Sequence, residues 1–131
     1  MTLEQERALK AHRHISEMLE KDKAEKDSYG GMAQKLPVLI RTAGLCQALY
    51  FVRSRKATVV SETLLRHLAE QLTRVDPGIQ DVESLLSHVR GANLGTYLWL
   101  SREALATIEW YSRLSQSELD VDRTAGEEDR S

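Results

Sequence analysis

Residues 60–75 read VSETLLRHLAEQLTRV, and they carry the clearest structural signal in the chain. Apolar residues recur there every three or four positions, at Val60, Leu64, Leu68, Leu72 and Val75. This spacing aligns them as one stripe along a helix. The following Asp76-Pro77-Gly78 contains two residues that stop helices, so it predicts the helix end. The stretch therefore predicts an amphipathic helix packed on a core.

The upstream sequence predicts three more helices. Thr2 and Gln5 can form a capping box for the first, whose apolar stripe indicates a helix that reaches about Lys26. We expect Ser28 and the paired glycines after it to interrupt the pattern and to start the second helix. Pro37 should then lie in its first turns or kink it. Gly44 marks the corner before the third helix.

Two further helices are predicted downstream. Asp81 can cap a short one that Gly91 ends, and Ser101 with Glu103 indicates where the long last helix begins. No alternating apolar pattern of useful length and no internal repeat is present. The sequence therefore predicts an all-α bundle of about six helices, with residues 1–117 as a single domain.

The composition of 131 residues limits the class of protein. Residues 118–131 hold six acidic side chains and two arginines, so we expect a disordered acidic tail. A lone Cys46 and a polar first segment indicate a reducing, cytoplasmic setting. No apolar run approaches the ~20 residues of a membrane-spanning helix.

Charge is unevenly distributed along the chain. The net charge of −2 is the sum of −1 over residues 1–27, +5 over residues 28–61 and −6 over residues 62–131. Residues 28–61 contain no acid, so we expect their positive charge to be locally unneutralised and suited to a polyanion. The basic residues of this stretch are Lys35, Arg41, Arg53, Arg55 and Lys56.

Neighbouring residues suggest how a nucleic acid would be held. Gln34 precedes Arg41 by seven residues and should align with it, which would place an amide donor beside a guanidinium. Tyr50 and Phe51 offer stacking surface, although helical spacing favours the core for Phe51. Trp99 and Trp110 are expected to pack on a helix or a partner subunit.

Catalytic and metal-binding patterns are weak. His12 and His14 point about 200° apart on a helix, and His67 and His88 are single helical histidines, so a shared metal ion is disfavoured. Cys46 lies among apolar residues and is interpreted as a small core residue. Glu103 and Glu109 are expected to be solvated. The sequence indicates neither an enzyme nor a cofactor.

Two blocks carry a family resemblance. Residues 29–45 read YGGMAQKLPVLIRTAGL and are followed by Gln47, Leu49 and Phe51. The later block is Tyr97, then LSREAL at residues 100–105, then Trp110. Over roughly residues 1–117 the chain resembles the small helical subunit of the Cmr-type (type III-B) CRISPR RNA-guided effector complex.

The resemblance implies a compact, non-catalytic helical protein of antiviral defence. Several copies would stack as a minor filament beside larger backbone subunits that hold the guide RNA. Target RNA would lie between the filaments, in contact with basic residues of the small subunit. Lys35 and Arg41 match basic positions of the family, whereas Arg53, Arg55 and Lys56 are added on the basis of charge.

Two other classes of function stay open. Helices on either side of Gly44 could form a helix-turn-helix DNA-binding regulator, although the segment from Leu45 to Val52 offers only Gln47 and Tyr50 to read bases. Alternatively, the chain is a protein-only scaffold whose basic surface docks an acidic neighbour or the acidic tail of another copy.

Overall fold

The computed structural model describes residues 1–55 and 58–121, and within these ranges it contains helices and no strand. The predicted all-α class and the number of helices are confirmed. The six helices are α1 (Leu3–Met18), α2 (Lys23–Ala43), α3 (Leu45–Arg53), α4 (Thr58–Leu72), α5 (Val82–Gly91) and α6 (Leu94–Ser117). None of the described helices is long and apolar enough to cross a bilayer.

The boundary between α1 and α2 differs from the prediction. The Thr2–Gln5 capping box is present, but α1 ends at Met18 rather than near Lys26. The reason is a new cap, since the Asp22 carboxylate accepts a hydrogen bond from the Glu25 amide at 2.8 Å and starts α2. The mixed-charge segment after Leu19 therefore forms a connection and the first turn of a second helix.

Helix α2 also contains the residues that were expected to interrupt or start it. Ser28, Gly30 and Gly31 lie inside the helix, and Pro37 lies well beyond its first turns. A Cβ atom on Gly30 would approach Val121 Cβ and Cγ1 to 2.8 Å. Glycine thus permits the chain segment after α6 to pack directly on α2, which outweighs its poor helix propensity.

The last helix begins earlier than predicted. Asn93 caps it through a hydrogen bond from the Thr96 amide to Asn93 Oδ1 at 2.9 Å, so α6 starts at Leu94 rather than at Ser101. After α6, Leu119 and Val121 are buried, and the Val121 amide donates to the Ser115 carbonyl. The first four residues of the predicted tail, 118–121, therefore pack on the described fold. Residues 122–131 of that predicted tail lie outside the described residues.

The core confirms most of the predicted apolar stripes, but Phe51 is a correction. Leu45, Ala48, Leu49 and Val52 of α3 are buried, whereas Phe51 is exposed. Residue 51 lies about 100° around the helix from residue 52, and here this places it off the buried stripe. Glu103 is a second correction, because its carboxylate is mostly buried and paired with Arg7 Nη2 at 3.0 Å.

Two histidines form a buried polar cluster at the centre of the bundle. The rings of His14 and His67 stack with centroids 3.9 Å apart, and both residues are 3% exposed. His14 Nε2 lies 2.6 Å from Glu70 Oε2 and Nδ1 lies 2.7 Å from the Tyr111 hydroxyl. Since the carboxylate can only accept, Nε2 carries the proton and the hydroxyl donates to Nδ1. His67 Nδ1 likewise meets the Tyr29 hydroxyl at 2.7 Å.

The cluster makes stability depend on pH. Burial lowers the pKa of His14, and burial with the neighbouring His14 lowers the pKa of His67 to about 3. The unfolded chain, with an ordinary histidine pKa of about 6.5, then binds more protons than the folded chain below that pH. Stability should fall as the pH drops from about 6.5 towards 3, with His67 alone contributing a loss of about 2 kcal/mol at pH 5.

Chemical denaturation between pH 7.5 and pH 5 measures this loss. His67→Gln removes the titrating ring and should flatten the pH dependence. His12→Gln changes an exposed histidine on the same helix as His14 and should leave the slope as in the unsubstituted chain. An equal slope in the His67 variant would contradict the assignment.

The close approach at Gly30 gives a second prediction. Gly30→Ala should destabilise the fold by about 1–3 kcal/mol, because the new methyl overlaps Val121. The free-energy cost of this overlap exceeds the gain in helix propensity. Gly91→Ala is the matched control, since nothing lies within 4 Å of its Cβ position. That control should be neutral or stabilising.

Thermal or chemical denaturation of both variants and of Gly30→Ala in a Val121→Ala background completes the test. The smaller side chain at 121 should reduce the cost of the methyl at residue 30. If the cost of Gly30→Ala were the same in both backgrounds, the clash with Val121 would not be its cause.

Candidate nucleic-acid interface

The described members of the predicted basic set lie on α2, at the end of α3 and just after it. Lys35 and Arg41 are on α2, Arg53 is the last residue of α3, and Arg55 follows α3. Lys56 lies outside the described residues. Lys35 is half-buried and Arg41 is exposed, so the two α2 cations differ in their access to solvent.

Arg41 is paired with an acid from the other end of the chain. Its Nη2 lies 3.0 Å from Glu109 Oε1 on α6, and the two side chains are 51% and 41% exposed. An ion pair this exposed is worth about 0–1 kcal/mol, because water screens it and two long side chains must be ordered. The contact therefore orients Arg41, but it is weak enough for Arg41 to exchange Glu109 for another anion.

Arg53 bridges two acids. Its Nε lies 3.5 Å from Glu62 Oε1 on α4, and its Nη2 contacts Glu83 Oε1 on α5. The hydrogen bond to Glu83 raises the pKa of Arg53. The expectation of an unneutralised stretch is thus wrong for Arg41 and Arg53, because folding brings carboxylates from beyond residue 61 onto them.

An aromatic pair on α3 is bound to further arginines. The Arg55 guanidinium carbon lies 5.1 Å from the centroid of the exposed Phe51 ring, which is a cation–π contact. The Tyr50 hydroxyl accepts a hydrogen bond from Arg90 Nη1 at 2.5 Å. Sequence reasoning missed Arg90, because it lies in the predominantly acidic segment 62–131 and is 40 residues from Tyr50.

A groove of about 410 Å³ runs between α2 and α6. The charged residues in its described lining are Arg41, Glu109 and Arg113, which gives two cations and one anion. The remaining lining residues are Gln34, Pro37, Val38, Ser112 and Gln116. Arg113 is exposed and shows no ion pair to any residue in the described ranges. The sequence signal for it is the four-residue spacing from Glu109, which puts both on one helix face.

Gln34 has a different role from the predicted one. It is buried, and its Nε2 donates a hydrogen bond to the Val121 carbonyl at 2.6 Å. The amide therefore fixes the segment after α6 to α2. It is aligned with Arg41 in the same groove, as predicted, but this donor is already used by the fold.

A second groove, of about 330 Å³, lies between α1 and α6. Glu109 and Arg113 line this groove as well. The other residues that line it are Trp110, Glu4, Arg7 and Ala106. Trp110 packs partly against the core. Glu109 and Arg113 thus form a ridge on α6 that both grooves share.

In the described parts of the chain, the candidate metal ligands and the candidate nucleophile Cys46 are not grouped into a site. No three His, Cys, Asp or Glu side chains there are grouped to hold a metal ion. His12 and His14 do not share a face, and His88 binds the Asp76 carboxylate through Nδ1 at 3.0 Å. Cys46 is half-buried against the core, and its amide donates to the Tyr97 hydroxyl.

Comparisons with known proteins agree with one another. The family model described as CRISPR-associated protein (Cas_Cmr5) matches residues 3–118. "CRISPR system Cmr subunit Cmr5" of Thermus thermophilus is 45% identical over 89 residues, which is 68% of this chain and 73% of that protein. The X-ray crystal structure of a CRISPR-associated Cmr5 family protein from Thermus thermophilus superposes with a TM-score of 0.78 at 40% identity, covering 89% of this chain and 96% of the other. The chain belongs to the CRISPR-associated Cmr5 family.

Proposed function

We propose that this chain is a non-catalytic subunit of a type III-B Cmr CRISPR effector and that it contacts the backbone of target RNA. The observation that carries the proposal is the family match over residues 3–118, which includes every described member of the basic set. The cationic side chains of that set lie on α2, on α3 and just after α3.

Contact with the RNA backbone fits the chemistry of these residues. In an RNA-guided complex, base pairing with the guide supplies sequence recognition, so a small subunit needs only phosphate contacts that tolerate any sequence. Guanidinium groups suit this task because their planar fork matches two phosphate oxygens. We assign the contacts to Lys35, Arg41, Arg53, Arg55 and Lys56.

Assembly with other subunits is the second part of the proposal. The first turns of α6 expose Leu94 to 73%, Leu98 to 56% and Trp99 to 40%. Large apolar side chains grouped on one helix end are suited to a protein interface. This supports stacking of copies of the chain with one another and beside larger backbone subunits.

Affinity purification from the native host tests the assembly. We expect a tagged chain to co-purify with larger Cmr subunits and with small guide RNAs. Recovery of the chain alone would count against membership of an effector complex.

Substitution of the basic residues tests the RNA contact. Lys35→Ala, Arg41→Ala and Arg53→Ala, combined in a reconstituted complex, should weaken target capture about equally for unrelated RNA sequences. The salt dependence should become shallower by about two units, since each single-strand phosphate contact contributes about 0.7. A control with Lys21→Ala, Arg66→Ala and Arg74→Ala removes three exposed cations elsewhere.

Two results would contradict the RNA assignment. One is an unchanged affinity and salt slope in the triple variant of a fully assembled complex. The other is tight, sequence-specific binding of duplex DNA by the isolated chain, which would favour a helix-turn-helix regulator instead.

A further inference from the structure

The groove between α2 and α6 contains more than the predicted basic residues. Arg41 and Arg113 both line it, and Ser112 and Gln116 add a hydroxyl and an amide that can donate hydrogen bonds. Arg113 belongs to neither the acid-free stretch nor the family blocks from which the basic set was chosen. The groove is therefore a place where cations from distant parts of the sequence converge.

Among the described lining residues Glu109 is the one carboxylate, and it is bound to Arg41 at 3.0 Å. Both partners are about half exposed, so water and salt weaken the pair and another anion can replace Glu109. A phosphodiester offers oxygens of the same geometry and charge type as a carboxylate. Glu109 thus occupies a position on Arg41 that a phosphate can take.

We propose that the α2–α6 groove binds a phosphodiester group of single-stranded RNA between Arg41 and Arg113, in exchange for Glu109. This inference rests on the proposed function and adds two residues to it. Arg113 is a second phosphate ligand, and Glu109 is an internal competitor that lowers the affinity. With Glu109 the described lining residues carry a net charge of +1, and without it their charge is +2.

The exchange has a physical consequence for binding. The ion pair keeps Arg41 oriented in the unbound subunit. The free-energy cost of breaking it reduces the binding free energy of the phosphate in the groove. Removal of Arg41 and removal of Glu109 should therefore change the RNA affinity in opposite directions. Loss of a cation weakens binding, and loss of the competing carboxylate strengthens it.

The test uses reconstituted complexes with single substitutions and measures target-RNA affinity against salt concentration. Arg113→Ala should lower the affinity about 5-fold and make the salt slope shallower by about 0.7. Glu109→Gln should raise the affinity by a similar factor and make the slope steeper. Arg74→Ala and Glu20→Gln are the matched controls, because each makes the same change at an exposed residue that does not line the groove.

The outcomes separate this inference from the proposed function. If the triple variant loses RNA but Arg113→Ala and Glu109→Gln behave like their controls, the groove assignment is overturned and the RNA contact stands. If Glu109→Gln lowers the affinity in a folded, assembled complex, Glu109 is not a competitor. Opposite shifts in the two variants, with both controls unchanged, would support the exchange.

Discussion

The packing of α2 along α6 is the contact on which the rest of the structure depends. At one end, Gly30 lets Val121 approach α2, and the Gln34 amide holds the Val121 carbonyl. Further along, Arg41 meets Glu109 across the same pair of helices. One helix pair therefore anchors the chain after α6 and forms the groove that carries the candidate site. The first groove follows from this packing, and the second groove, between α1 and α6, shares Glu109 and Arg113 of α6 with it.

A neutral polar cluster complements this contact. His14 and His67 stack between α1 and α4, while the hydroxyls of Tyr29 and Tyr111 bring in α2 and α6. Burial raises the pKa of both tyrosines, so their hydroxyls stay protonated at neutral pH and can donate hydrogen bonds. Buried polar groups stabilise a structure when each has a partner, and they penalise alternative alignments in which partners are lost. The cluster thus fixes the relative positions of four helices.

The sequence predicted the fold class and the number of helices because apolar periodicity is a local signal. It failed where distant contacts override local preferences. From sequence alone Gly30 predicts a helix interruption, because its close approach to Val121 is a contact distant in sequence. Phe51 was expected in the core, because helical spacing alone does not show which face of α3 is buried. The basic set was identified, but its neutralisation was not, since Glu109 is far from Arg41 in sequence and close to it in space. Arg113 was missed for the same reason.

The central claim is that the predicted basic residues of α2 and α3, together with the α2–α6 groove, face target RNA in an assembled effector. Photo-crosslinking of a 4-thiouridine-substituted target RNA in the reconstituted complex, followed by mass spectrometry, tests it most directly. The account predicts crosslinked peptides from this chain that include the segments around Arg41 and Arg113. Crosslinks confined to other faces of the chain, such as the exposed sides of α4 around Arg66 and Arg74, would contradict it.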